Sequence, residues 1–129
     1  MVNGRTVKSD EMSRRMIGKT GVFYPEWFWE QGFRFADLLV LVKKGQTERV
    51  GKEVYKKFNN VLFTSWRINT VANLVVQTYY QNSLELRDLI EGISKIEDVE
   101  RVEFSEYVNI LGRRSYEEVE KNIAQVTSE

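Results

Sequence analysis

The spacing of apolar positions changes repeatedly along this chain, and each change predicts an element. Asp37 to Lys44 (DLLVLVKK) is a nearly continuous apolar run closed by Lys43-Lys44-Gly45, which predicts a short strand buried on both faces. From Thr47 to Phe58 the period lengthens. Val50, Val54 and Phe58 recur at i, i+4 and i+8 with Lys52, Glu53, Lys56 and Lys57 opposite them, as in an amphipathic helix, and Asn59-Asn60 supplies a turn. Val61 to Ile68 (VLFTSWRI) and Val71 to Tyr80 (VANLVVQTYY) are rich in β-branched and aromatic residues, so they read as two strands of a hairpin joined across Asn69-Thr70. In the second strand Ala72, Leu74 and Val76 alternate with Asn73, Val75 and Gln77, giving one apolar face and one mixed face.

Asn82 followed by Glu85 resembles a capping box, and it precedes Leu86, Leu89, Ile90, Ile93 and Ile96 at helical spacing. Val99 to Leu111 then alternates Val102, Phe104, Glu106, Val108 and Ile110 against Arg101, Glu103, Ser105, Tyr107 and Asn109, a half-buried strand in which Glu106 interrupts the apolar row. Ser115 and Glu118 form a second capping box ahead of a helix with the stripe Tyr116, Val119, Ile123 and Val126. At the other end, Met1 to Thr20 is polar and basic-leaning, with a candidate helix from Ser9 or Asp10 to Lys19. Between Gly21 and Phe35 seven aromatics crowd together (Phe23, Tyr24, Trp27, Phe28, Trp29, Phe33, Phe35) and demand a cover. Core or dimer packing suits them better than base stacking, because Glu26 and Glu30 stand among them where a nucleic-acid platform needs Lys or Arg.

The order strand, helix, strand, strand, helix, strand predicts an α+β, ferredoxin-like βαββαβ fold: a four-stranded antiparallel sheet with two helices on one face, an extra N-terminal segment and a C-terminal helix. Residues 1–34 are expected to form a basic helix and aromatic connector, and residues 35–129 the folded module. Two helices cover only one face, so Leu39, Leu41, Val61, Phe63, Val75 and Tyr79 are expected to project from the other. An apolar face of that kind predicts a homodimer, or a larger oligomer, with sheets packed face to face.

Composition narrows the chemistry. The 129 residues, 42% of them apolar and 12% aromatic, suit one globular domain with an appendage. With no Cys there is no disulfide, thiolate metal site or cysteine nucleophile, and with no His the usual general base and transition-metal ligand are missing. The carboxylates Glu97, Asp98, Glu100, Glu103 and Glu106 lack the spacing of an oxygen-ligand metal loop, so no metal, no cofactor and no catalytic residue is expected. Lys plus Arg (19) balances Asp plus Glu (19), which removes any global field for nucleic acid or anionic membrane. The longest apolar run, Leu38 to Val42, is too short to span a bilayer and Met1 to Asp10 is too polar for a secretory signal, so a cytoplasmic location is expected.

Taken together from Phe35 to Leu111, DLLVLVKKG, helix, VLFTSWRINTVANLVVQTYYQNSLELRDLI and ISKIEDVERVEFSEYVNIL resemble the effector-binding RAM domain of Lrp/AsnC transcription regulators. The resemblance implies a ferredoxin-like module that dimerises by sheet packing, assembles further and binds small effectors such as amino acids between dimers. The family's hairpin loop reads Thr-Gly-x-Tyr-Asp where this chain has Asn69, Thr70, Val71, Ala72 and Asn73. SDEMSRRMIGKTGVFY resembles only the end of the family's helix-turn-helix head. The expected function is therefore ligand binding and regulation of transcription rather than catalysis. Arg67, Thr70 and Asn73, with Glu106, are the candidate effector-binding residues, Glu106 because a buried carboxylate in an apolar row needs a partner such as Arg67 or a ligand. Arg14, Arg15 and Lys19 are the candidate phosphate contacts for DNA. The expected partners are a second copy, full-length Lrp-like regulators and a small metabolite or amino acid. The competing expectation is a small ferredoxin-like dimeric enzyme working in a sheet cavity without His or Cys.

Overall fold

The structure, a computed structural model, describes residues 23–127. These fall into two compact units, one of residues 25–107 and the other containing residues 23–24 and 108–127. The first unit begins with α1 (Pro25–Glu30), followed by β1 (Arg34–Val42), α2 (Thr47–Lys57), β2 (Val61–Trp66), β3 (Leu74–Tyr80), α3 (Ser83–Ser94) and β4 (Val99–Glu106). The second contains α4 (Tyr116–Thr127).

The strands form one sheet in the order β2-β3-β1-β4, antiparallel at each neighbouring pair, which is the ferredoxin-like arrangement expected from the element order. Because side chains alternate across a strand, β1 divides its residues cleanly. Ala36, Leu38, Val40 and Val42 face the helices and are buried with Val50 and Val54 of α2 and Leu86, Leu89 and Ile93 of α3. The helices are set by local chemistry as well as by this burial. Asn82 Oδ1 accepts the Glu85 N–H at 3.0 Å and Glu85 Oε2 accepts the Gln81 N–H at 2.6 Å, so α3 starts on a reciprocal cap. In the second unit, Ser115 Oγ accepts the Glu118 N–H at 3.1 Å as expected, and no residue of α4 is buried.

The alternate residues of β1, namely Phe35, Asp37, Leu39 and Leu41, lie on the face opposite α2 and α3. Register places Tyr79, Gln77 and Val75 of β3 beside Phe35, Asp37 and Leu39, with Phe63 and Ser65 of β2 beyond them. Val61 departs from expectation. A register shift between Val61 and Phe63 carries Val61 to the helix side opposite Thr78, where it joins the core at 5% exposure. One inserted residue reverses the face of everything before it, which alternation alone cannot show. The strand read as Val99 to Leu111 ends at Glu106, and Phe104 of the apolar row stays 56% exposed because β4 is the sheet edge.

The aromatic segment covers one end of the open face. Pro25 occupies the first turn of α1, where its missing N–H costs nothing. The Phe33 N–H returns to Phe28 O at 2.9 Å and Gly32 takes φ +84, a left-handed turn that sends the chain back into β1. That reversal lays Phe28 across the sheet, 5.1 Å from the Phe35 ring and stacked 5.0 Å from Tyr79. Phe28 and Phe35 are buried as a result.

Candidate functional site

Beyond the reach of α1, the middle of the open face holds a charged residue on the central strand. Asp37 sits between Gln77 of β3 and Ser105 of β4, and its Oδ2 accepts a hydrogen bond from the Tyr107 hydroxyl at 3.1 Å. Tyr107 is brought there by its backbone N–H, which donates to Phe35 O at 2.8 Å, and by an edge-on contact of its ring with Phe35 at 5.0 Å. Burial pushes the Asp37 carboxyl above its ordinary value, against the opposing pull of hydrogen bonds from Tyr107 and Gln77 and of the Arg67 charge. The Tyr107 hydroxyl is pushed up too, first by burial and then by the charge of Asp37. Gln77 is only 9% exposed, and its Oε1 is buried with no hydrogen-bond partner.

Next to this polar centre lies a cavity of about 310 Å³ lined by Leu39, Arg67, Ile68, Asn69, Val71, Ala72 and Val75. Leu39 and Val75 form its floor on the sheet, and the β2–β3 loop forms its wall. The loop is held by main-chain bonds from Arg67 N–H to Asn73 O (2.9 Å) and from Asn73 N–H to Val40 O (3.1 Å). Asn69 Oδ1 accepts the Val71 N–H at 2.7 Å, and Arg101 Nη2 donates to Val71 O at 2.9 Å. The site thus joins an apolar floor to the Arg67 guanidinium, with the Asp37 carboxylate within its electrostatic range.

Of the four residues singled out from sequence for an effector, Arg67, Thr70 and Asn73 share the β2–β3 loop and Glu106 lies apart. Arg67 lines the cavity and donates from Nε to Ser65 Oγ at 2.9 Å. Thr70 is exposed on the same loop. Asn73 commits both ends of its amide to β1: Oδ1 accepts the Val42 N–H at 2.8 Å and Nδ2 donates to Val42 O at 2.9 Å, extending the ladder one step beyond β3. Glu106 lies at the opposite end of the sheet, opposite Ala36, and its partners are the Tyr80 hydroxyl and, at 3.9 Å, Arg34 Nη1, so the partner is not Arg67. Tyr80 itself is pushed up, by burial first and then by its bond to Glu106. Arg14, Arg15 and Lys19 lie outside the described residues. Asp37, Gln77 and Tyr107 were missed. The available signal was Asp37 itself, which shares the parity of Leu39 and Leu41 and is therefore a carboxylate in the open-face row. Among the described residues, no His, Cys, Asp and Glu group of three or more is placed to hold a metal ion, and no helix is long and apolar enough to cross a membrane.

No family model matches the chain, and no curated protein matches it. Solved structures do. A Thermus thermophilus protein is similar over 62% of this chain and 99% of its own, at 21% identity and a TM-score of 0.55. E. coli AsnC is similar over 87% of this chain and 78% of its own, at 10% identity and a TM-score of 0.55. A Neisseria meningitidis transcriptional regulator, solved as its complex with L-Met, is similar over 83% of this chain and 73% of its own, at 10% identity and a TM-score of 0.55. The chain shares its fold with these proteins, as the Lrp/AsnC resemblance implied.

Proposed function

We propose that this chain is a non-catalytic regulatory module of Lrp/AsnC type, which closes its open sheet face on a second copy and holds an apolar L-amino acid in the cavity at Arg67. The observation that carries the reading is that cavity, whose 310 Å³ is the size of a small-ligand site and whose lining joins Leu39, Val71 and Val75 to the Arg67 guanidinium. An amino acid carboxylate suits Arg67, which offers paired N–H donors, and an aliphatic side chain suits the floor. Asp37, whose charge is felt at Arg67, supplies the opposite sign for the ammonium group. The regulator from N. meningitidis that shares the fold was solved with L-Met, which supports the same class of ligand.

Self-association follows from the open face. Leu39, Leu41 and Phe63 are incompletely covered there, and a second sheet would remove them from water. The fold shared with transcription regulators supports binding over catalysis. In this reading the module acts on transcription in the cytoplasm by co-assembling with full-length regulators. Direct DNA contact through Arg14, Arg15 and Lys19 is part of the proposal, and the absence of any electrophoretic shift at low salt would remove it.

The test is a thermal-shift screen of the twenty amino acids, paired with light scattering of the wild type and of Leu39→Glu. A dimer or larger species that Leu39→Glu converts to monomer, with stabilisation by an aliphatic or thioether amino acid that Arg67→Ala abolishes, is the expected result. A wild-type monomer with no stabilising amino acid would overturn it.

A further inference from the structure

At the far end of β3 from Arg67 is a second cleft, of about 390 Å³, lined by Phe33, Phe58, Asn60, Tyr79, Glu85, Asp88 and Leu89. Three aromatic rings and two carboxylates share it, and among the described residues that line it there is no Lys or Arg. We propose that this cleft binds a compact organic ammonium cation, seated against the Tyr79, Phe33 and Phe58 rings with Glu85 and Asp88 supplying the countercharge.

Each part of the lining is held in place for reasons independent of a ligand. The Tyr79 ring is backed by Phe28 at 5.0 Å and met edge-on by Phe33 at 5.4 Å, so an aromatic wall exists before anything binds. Asn60 Nδ2 donates to Tyr79 O at 3.1 Å, and Asn60 O accepts the Thr78 hydroxyl at 2.6 Å and the Tyr79 N–H at 3.3 Å. That anchoring commits the amide nitrogen of Asn60 and its main-chain oxygen, and the cleft is left the acceptor Oδ1. Glu85 is fixed through Oε2 by the Gln81 N–H, which leaves Oε1 outside the cap. Among the described residues, Asp88 meets the Arg87 guanidinium at 3.8 Å, with both side chains 64% exposed, a contact too loose and wet to neutralise it.

The chemistry of this set selects the ligand. An anion is repelled by two carboxylates. A hard metal ion needs several oxygen ligands converging at about 2 Å, and rings do not ligate it. An ammonium ion carrying methyl or methylene groups satisfies both halves, since ring faces attract cations through their quadrupole and apolar groups fill the remaining space. The same attraction already operates on one of these rings, where Lys57 Nζ lies 5.8 Å from the centre of the Phe58 ring. Lys57 thus competes for the Phe58 ring.

Choline is the probe, and its neutral carbon isostere, with carbon in place of the ammonium nitrogen, is the control. Amide shifts followed by NMR on the whole chain are expected to move saturably with choline at Asn60, Tyr79 and Leu89, and much less with the isostere. Asp88→Asn, at an exposed position, weakens binding about threefold, and Tyr79→Leu about tenfold. Lys57→Gln tightens it by removing the competitor. Equal response to the neutral isostere, shifts that do not saturate at tens of millimolar, or unchanged affinity in the Glu85→Gln, Asp88→Asn double variant would each overturn the proposal. Gln in place of Glu85 preserves the cap, so that variant reads charge rather than folding.

Discussion

Asp37 and Tyr107, seventy residues apart, meet at 3.1 Å in the middle of the sheet face that α2 and α3 leave uncovered. A carboxylate on the central strand of a sheet loses hydration that its neighbours must replace, and here a phenol, an amide and a guanidinium do so from three different segments. The pair also marks where β4 ends, because Tyr107 continues past Glu106 only far enough for its N–H to reach Phe35 O. The face that the proposed second copy covers is therefore apolar at Leu39 and Val75 and polar at its centre. A partner sheet must meet both.

The sign of the Asp37 shift fixes a pH dependence. Burial, the largest influence, raises the folded carboxyl above its ordinary 3.8. As pH rises, the unfolded chain gives up this proton first, so the native state holds the greater number of protons between 3.8 and the folded value. The contribution of Asp37 to stability is therefore greatest below that window and falls as pH rises through it. Denaturant midpoints of wild type minus Asp37→Asn should decline across this range and then level, since the Asn variant lacks the titration but shares every other. A difference that climbs with pH would mean that the partners of Asp37 outweigh its burial.

Tyr107→Phe tests the same relationship from the other side. The hydroxyl bond is the largest influence holding the Asp37 carboxyl down, so removing it should send that carboxyl further up. Carboxyl resonances followed through a pH titration give the answer directly. A midpoint unchanged in the variant would show that Gln77 and Arg67 suffice.

Asn73 carries a third expectation. Its amide closes a two-bond ring on the Val42 main chain, at 2.8 and 2.9 Å, where an unpaired donor and acceptor would otherwise be left at a partly buried strand end. Asn73→Ala should cost about 2 kcal/mol in chemical denaturation, about 1 for each bond lost. Asn73→Asp should cost more than the alanine variant above the carboxylate range, because one oxygen still accepts the Val42 N–H while the other is forced against Val42 O. Protonating that carboxyl in acid should restore much of the loss, which alanine cannot show.

What could be read from the residues and what could not divide along physical lines. The cap at Asn82 and Glu85 was legible because its partners lie within one helical turn, and the buried row Ala36, Leu38, Val40 and Val42 because parity is fixed by the pleat. The face of Val61 was not, since a bulge before Phe63 resets parity without a compositional mark. Arg67 was legible as a loop cation beside a hairpin. Asn73, on the same loop, was read as a ligand contact because nothing local shows that its amide matches the spacing of the Val42 main chain, 31 residues away. Asp37 was visible as a carboxylate in an apolar run, but its hydrogen-bond partner lies beyond the last strand and its burial depends on Gln77 from another. Pairings across the sheet come from register, and register is a property of the assembled fold.

Gly92 and Phe58 carry the last prediction. A Cβ built at Gly92 would stand 2.8 Å from both Cε1 and Cζ of the Phe58 ring, closer than packed carbons tolerate. The glycine in α3 is thus there to admit a ring that packs against the core from the end of α2. Gly92→Ala gains about 1 kcal/mol in helix propensity but forces the ring outward, which costs about 1–3 kcal/mol, so a net loss of about 1 kcal/mol is expected. Replacing Phe58 by Leu creates its own packing loss, yet in that background the added methyl meets no ring. Gly92→Ala should then be neutral or stabilising. A double-mutant cycle by urea denaturation reads the coupling between the two positions as the departure from additivity. Additive effects would mean that the clash is relieved by backbone movement, and the requirement for glycine would then have to lie elsewhere than in the Phe58 ring.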